Sequence, residues 1–343
     1  MDILKLAPTA TRVVRDILAL KKGERVLIIT DPERPHSITQ ALAFAAVSCG
    51  AQPVVMIMPR LAIGGMEPPP EVAAAMKVST AIINQSTISL THTDATREAL
   101  KAGARIANLR NLDEDMMLHG GVAADYEKVK DLSERIARIL SKTETAELTT
   151  PEGTHLVMSL KGRPGFAQTG FATQPGQFSG LPDGEATIAP VEDTTEGVVV
   201  DPYLADDLGL IDRPFKFEVK RGRIVNIEGK TAAERLRRLI EEHGKDADRF
   251  ASQLAIGTND ACRLTDNTRE VTKKLGTCHL AIGDNKTLAG TVTTSMHMDI
   301  VFLNPTLLLD GKPILKDGRL LLEEFERDAE GSAPAQDLEV SKV

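Results

Sequence analysis

The triplet His297-Met298-Asp299 sits inside the apolar run Ser-Met-His-Met-Asp-Ile-Val-Phe-Leu and carries two metal-capable side chains at positions i and i+2. The run reads as a strand, and a strand turns residues two apart to one face, so imidazole and carboxylate point the same way. His279 stands upstream in a second apolar run, Cys-His-Leu-Ala-Ile, that ends in Gly283-Asp284-Asn285. Imidazole nitrogen and carboxylate oxygen suit zinc, manganese or non-haem iron(II), and two His with one carboxylate make a facial set with open coordination positions. The expectation is a metal enzyme. The plainer alternative for an isolated pair of this kind is that His297 packs against a neighbour while Asp299 caps a turn.

Composition narrows the partners. The formal charge is −8 and aromatics make up 3% of the residues, with no Trp and two Tyr. Nucleic-acid binding needs a basic surface and, for single strands, stacking rings, so nucleic acid is not expected. No stretch approaches the roughly 20 apolar residues of a membrane span. Three cysteines, Cys49, Cys262 and Cys278, lack metal or disulfide spacing, which fits a reducing compartment. The N-terminal residues show no signal-peptide pattern, and a cytoplasmic location is expected. Cys278 neighbours His279 on a predicted strand, faces the other way and is expected in the core.

The elements that must position these residues fall into two regions, as 343 residues exceed what one hydrophobic core usually serves. In the first, residues 1–145, the apolar runs 25–30, 53–58, 79–84 and 105–109 alternate with helical stretches. Strands spaced by helices predict a doubly wound, mainly parallel sheet. Gly50 and Gly103 are expected as helix C-caps, and 125–142 as an amphipathic helix closing the domain. Neither a G-x-G-x-x-G nor a Walker motif is present, so nucleotide binding is not expected. From about 146 to 327, glycine, proline and short alternating runs predict an α+β domain with an antiparallel, barrel-like sheet. Here Lys220-Arg-Gly222 forms a hairpin turn and 231–244 a helix. Residues 328–343 are polar and are expected to form a flexible tail.

Several second-domain segments together resemble a known family. Thr150-Pro-Glu-Gly-Thr-His-Leu156, Lys161-Gly-Arg163, Leu181-Pro-Asp-Gly-Glu185 through Glu192-Asp193, and the His279 and His297 runs are similar to the thermophilic aminopeptidases T and S, which are metallopeptidases. The likeness spans roughly residues 10 to 320. It implies a metal pair whose ligands fall here on Glu185, His279, His297 and Asp299, and a homodimeric assembly. A second Glu of that family falls on Gln253, and a Tyr that should follow His279 is absent. A neutral amide offers one carbonyl oxygen where a carboxylate would bridge two cations, so the dinuclear arrangement is incomplete. A second branch of the same superfamily, the 2,5-dihydroxypyridine 5,6-dioxygenases, is also similar over much of the chain. That likeness implies one iron(II) held by two His and one Asp. The H-x-D pair corresponds to His297 and Asp299, the other His to Gln253.

The resemblance makes Glu185 a ligand or a general base beside a metal-bound water, and Gln253 a group that hydrogen-bonds substrate or completes the site. Arg163 is either a bidentate anchor for a substrate carboxylate or half of a structural ion pair, and His155 a partner that orients a metal ligand, a substrate contact or a surface residue. Glu192 and Asp193 are either orienting groups for the ligands or a solvated turn. Asn259, Asp284 and Asn285 read as turn residues, and His36, His92, His119 and His243 as surface histidines. Phe166, Phe171 and Phe178 lie in a loop that could enter the site. The leading expectation is a metallohydrolase using zinc, manganese or cobalt to cleave an amide or related C–N bond in a small molecule or short peptide. The alternatives are a mononuclear iron(II) ring-opening dioxygenase on a hydroxypyridine-like heterocycle, and a catalytically decayed binding protein.

Overall fold

The structure is a computed structural model that describes residues 3–62 and 66–330. The chain forms two compact units, each assembled from non-consecutive stretches. One comprises Met1–Arg138, Gly165–Thr187 and Ala255–His279, the other Ile139–Pro164, Ile188–Leu254 and Leu280–Val343.

The first unit contains a five-stranded sheet in the order Gln52–Ile57, Arg25–Thr30, Ala81–Gln85, Arg105–Asn108, Phe178–Gly180, with every pairing parallel. Alternate residues of Arg25–Thr30, the second strand in that order, enter opposite cores. Val26 and Ile28 join Leu6, Val14 and Leu42 on one face, while Leu27 and Ile29 join Val72, Met76 and Ala99 on the other. Both faces of that strand are therefore covered by helices, as a parallel sheet joined by crossovers requires. Helix Asp94–Lys101 starts where the Thr93 hydroxyl accepts the Thr96 N–H at 3.2 Å, relieving one of the free donors of a first turn. The doubly wound parallel sheet is as expected, with one addition. Phe178–Gly180, placed by the sequence in a loop of the second domain, is the fifth strand, pairing Ile106 with Phe178. Three residues are too few to display a period.

The second unit contains an eight-stranded sheet in the order Arg223–Gly229, Phe215–Lys220, Glu196–Val200, His155–Ser159, Thr145–Thr149, Thr306–Leu309, Lys312–Lys316, Arg319–Leu320. Its pairings are antiparallel. The predicted hairpin turns at Arg221 and Gly222, both at positive φ (50° and 65°), which is the handedness that two-residue hairpins need. Phe215, Phe217 and Phe250 stack edge to face, with successive centroids 5.9 and 5.0 Å apart. A further run of strands in this unit places Gly209–Leu210, Leu204–Ala205 and His297–Phe302 side by side in that order, the pairings antiparallel. The last helix spans Leu322–Glu330, and the remainder of the expected tail lies outside the described residues. No described helix is long and apolar enough to cross a membrane.

Candidate active site

His297 opens the strand His297–Phe302, and the period-two expectation is met: Met298 is buried, and Asp299 Oδ1 lies 3.4 Å from His297 Nε2. The other ring nitrogen, Nδ1, is 2.8 Å from the Asp284 carbonyl oxygen. A carbonyl only accepts, so Nδ1 carries a proton and Nε2 is the nitrogen turned toward the carboxylate. Burial alone would lower the pKa of this imidazole. The hydrogen bond and charge of Asp299, with the Asp284 carbonyl, outweigh it and push the value up to about 9.

The Asp284 carbonyl is itself held in place. Asp284 N–H donates to Met296 O at 2.8 Å, and the Asn285 side chain accepts the Val292 N–H at 2.9 Å. Glu192 Oε1 then receives both the Asn285 amide at 3.1 Å and the Thr291 N–H at 2.7 Å. Its other oxygen pairs with Arg163, whose second nitrogen donates to Ala289 O at 2.6 Å. Burial works against the Glu192 carboxylate, yet the Thr291 N–H, the Asn285 amide and Arg163 lower its pKa. Of the two roles open to Arg163, the structure displays the ion pair. Asn285, expected as a turn residue, is a buried strut of the 284–296 loop.

In the first unit, Glu185 begins the strand Glu185–Ile188 and is buried, not a solvated edge residue. Its Oε1 accepts from Gln168 Nε2 at 2.6 Å, its Oε2 is paired with the Lys273 ammonium, and His279 Nε2 lies 3.5 Å from that same oxygen. Asp183 is buried two residues before it. Burial raises the Asp183 pKa to about 6, with Lys273 opposing and Glu185 adding to the shift. Asn259 donates to the carbonyls of Gly121 and Asp183 at 3.0 and 2.8 Å, fixing the turn that leads into Glu185. The sequence missed Lys273, Gln168 and the burial of Asp183. The one available signal was the acidic spacing Asp183-Gly-Glu185, which demands a cation if both are buried.

Gln253 is buried on Phe250–Gly257, two residues after Ala251, whose φ of 56° is a conformation costly for a residue with a Cβ. His155 is exposed and paired with Glu147 at 2.9 Å, a surface contact. His36, His92 and His119 are exposed as expected. Phe171 lies in a loop as expected and packs edge-on against Tyr126 at 6.4 Å, whereas Phe166 and Phe178 are in strands. Cys278 is buried, and burial pushes its thiol pKa up, in keeping with a core residue. Among the described residues, no group of three or more His, Cys, Asp or Glu side chains is gathered in a form that could hold a metal ion. The donor types of the His297–Asp299 pair nevertheless suit a divalent cation: one imidazole with a fixed tautomer and one carboxylate.

The chain shares its fold, with a parallel α/β unit and an antiparallel α+β unit, with two solved structures. The chain belongs to the 2,5-dihydroxypyridine 5,6-dioxygenase family, whose model matches residues 9–322. It is 25% identical over 274 residues to the 2,5-dihydroxypyridine 5,6-dioxygenase of Pseudomonas putida, covering 74% of this chain and 75% of that protein. The solved structure of the Pseudomonas putida KT2440 2,5-dihydroxypyridine dioxygenase superposes with a TM-score of 0.78 at 18% identity, over 94% of this chain and 98% of that one. AmpT from Thermus thermophilus superposes with a TM-score of 0.68 at 18% identity, over 93% and 99%. The likeness to aminopeptidase T is thus one of fold, and the family is the dioxygenase one.

Proposed function

We propose that this chain is a mononuclear iron(II) dioxygenase that opens the ring of a hydroxypyridine-like N-heterocycle. The observation that carries the proposal is the buried Lys273–Glu185 pair. A dinuclear hydrolase would need Glu185 as an anionic ligand offsetting the charge of two cations. Here an ammonium group already balances that carboxylate, and a neutral amide, Gln253, stands where another carboxylate would be needed. His297 Nε2 and Asp299 are the proposed ligands, and the bound ion would supply the redox chemistry that brings dioxygen to the ring.

The other roles follow from the same geometry. The Asp284 carbonyl holds His297 in the tautomer that leaves Nε2 for the metal, and Glu192 with Arg163 holds Asp284. The test is elemental analysis of protein purified anaerobically without chelators, followed by oxygen uptake with 2,5-dihydroxypyridine. About one iron per chain and substrate-dependent oxygen consumption, both lost in Asp299→Ala, are expected. Two zinc, manganese or cobalt ions per chain with hydrolysis of short peptides would restore the hydrolase reading instead.

A further inference from the structure

The strand Leu204–Ala205 lies against His297–Phe302, with Leu204 opposite Val301 and Ala205 opposite Ile300. The ladder continues one residue further, because the Asp206 N–H donates to the Asp299 carbonyl at 3.0 Å. Asp206 is thus directly across from Asp299. Facing residues of an antiparallel pair share a face, so its side chain stands on the face that carries Asp299 and His297. Further along the ladder that face is closed by Leu204 and Val301, both fully buried, whereas Asp206 and Asp299 are half-buried.

The chain reverses immediately after Asp206. Ala205 pairs with Gly209 across the turn Asp206-Asp207-Leu208, the Leu208 N–H donates to Ala205 O at 3.3 Å, and Asp207 and Gly209 take positive φ of 59° and 74°. A three-residue hairpin connection of this kind fixes the ends of its two strands. It holds Asp206 at the mouth of the ladder and leaves Asp207 exposed. The field at His297 already registers Asp206, whose charge adds to that of Asp299 in raising the imidazole pKa.

A facial site for one divalent ion takes three protein donors, and His297 with Asp299 supplies two. Given the mononuclear site proposed above, on which this rests, we propose that Asp206 is the third protein ligand, making a set of one imidazole and two carboxylates. Side chains facing each other across an antiparallel pair have Cβ atoms about 5 Å apart, close enough for two carboxylates to reach one ion at about 2.0–2.2 Å each. The two carboxylates offset the charge of the ion in a half-buried place, which the neutral amide of Gln253 cannot do. A majority of oxygen donors suits manganese or iron(II) better than softer ions. As the side chains stand, the three are not gathered as a closed set. Rotation of the Asp206 side chain about its own bonds closes it, since the ladder already locks the backbone of both strands.

The test is titration of the full-length protein with cobalt(II) after its resident metal has been removed by chelation, read by equilibrium dialysis and by the visible absorption of the ion, which responds to its donors. The wild type should bind one cobalt per chain. Asp206→Ala should bind about 100-fold more weakly or worse, at least the loss that removing an outer support causes, with a shifted absorption band. Asp206→Glu, which keeps a carboxylate, should recover part of the affinity. Asp207→Ala removes the same charge from the same turn and should keep the wild-type affinity and band. Wild-type affinity and band in Asp206→Ala, or an equal loss in Asp207→Ala, would overturn the role of Asp206 while the site of His297 and Asp299 stands. A wild type that binds no cobalt, or an Asp299→Ala that binds as the wild type does, would overturn that site and the role of Asp206 with it. Asp206→Asn, which keeps the shape of the turn residue, gives the decision if Asp206→Ala loses the wild-type circular dichroism spectrum.

Discussion

Lys273 and Glu185 are 88 residues apart in sequence and meet as an ion pair that is almost closed to water. A pair of this kind is worth little against an apolar replacement of both members, but removing one member strands a buried charge. Lys273→Met should therefore cost about 3–5 kcal/mol in urea denaturation. Adding Glu185→Gln should recover most of that loss, giving a large coupling in the double-mutant cycle. Additive single effects would show that the two side chains do not depend on one another. At His297 the raised pKa sets a pH dependence. With a folded value of about 9 against an ordinary 6.5, the protonated imidazole stabilises the metal-free fold fully below about 6.5, and that contribution is lost as pH rises through 9. A metal taking Nε2 must displace that proton. Metal uptake near pH 7.5 should release about one proton, and apparent affinity should climb about tenfold per pH unit up to 9. Calorimetry in buffers of different ionisation enthalpy measures this, and proton-neutral binding would contradict it.

The loop from Asp284 to Met296 is the element on which His297 depends, because the carbonyl that fixes its tautomer belongs to that loop. Glu192 gathers the loop through Asn285 and Thr291 and ties it to Arg163. Glu192→Ala would leave the Arg163 guanidinium without its carboxylate and the Thr291 N–H without its acceptor, at a cost of about 2–4 kcal/mol. Loss of such outer support usually lowers metal affinity about 10–100-fold. Glu192→Gln, which retains an acceptor oxygen, should lose less. Metal titration of both variants checks the ordering, and unchanged affinity in Glu192→Ala would mean the loop holds its shape without Glu192.

For the molecule as a whole, the two large apolar cores of the parallel sheet are closed by side chains alone. Metal should therefore add to a fold that exists without it. At a free concentration 100 times the dissociation constant, an ion adds about 2.7 kcal/mol, which for a chain of this size raises Tm by several degrees. Scanning calorimetry with and without a chelator should show a lower Tm after chelation and a cooperative transition in both samples. A metal-free protein with no transition would show instead that the ion is needed for folding.

What the sequence determined by itself was everything set by short-range periodicity and turn chemistry. The alternation of apolar runs and helical stretches read out the parallel α/β part, Arg221-Gly222 the hairpin, and the two-residue spacing of His297 and Asp299 their common face. Those features depend on neighbours within a few residues, and the chain states its neighbours directly. Tertiary structure alone decided which distant groups share a dry environment. It brought Lys273 onto Glu185, aimed the Asp284 carbonyl at His297 and bound Arg163 to Glu192. It also drew Phe178–Gly180 into a sheet whose other strands end seventy residues earlier. The sequence reads 53–58 as one more covered strand, and only the strand order places it at an open end. No local period encodes such contacts, because burial and charge balance are properties of packing between segments whose separation along the chain is arbitrary.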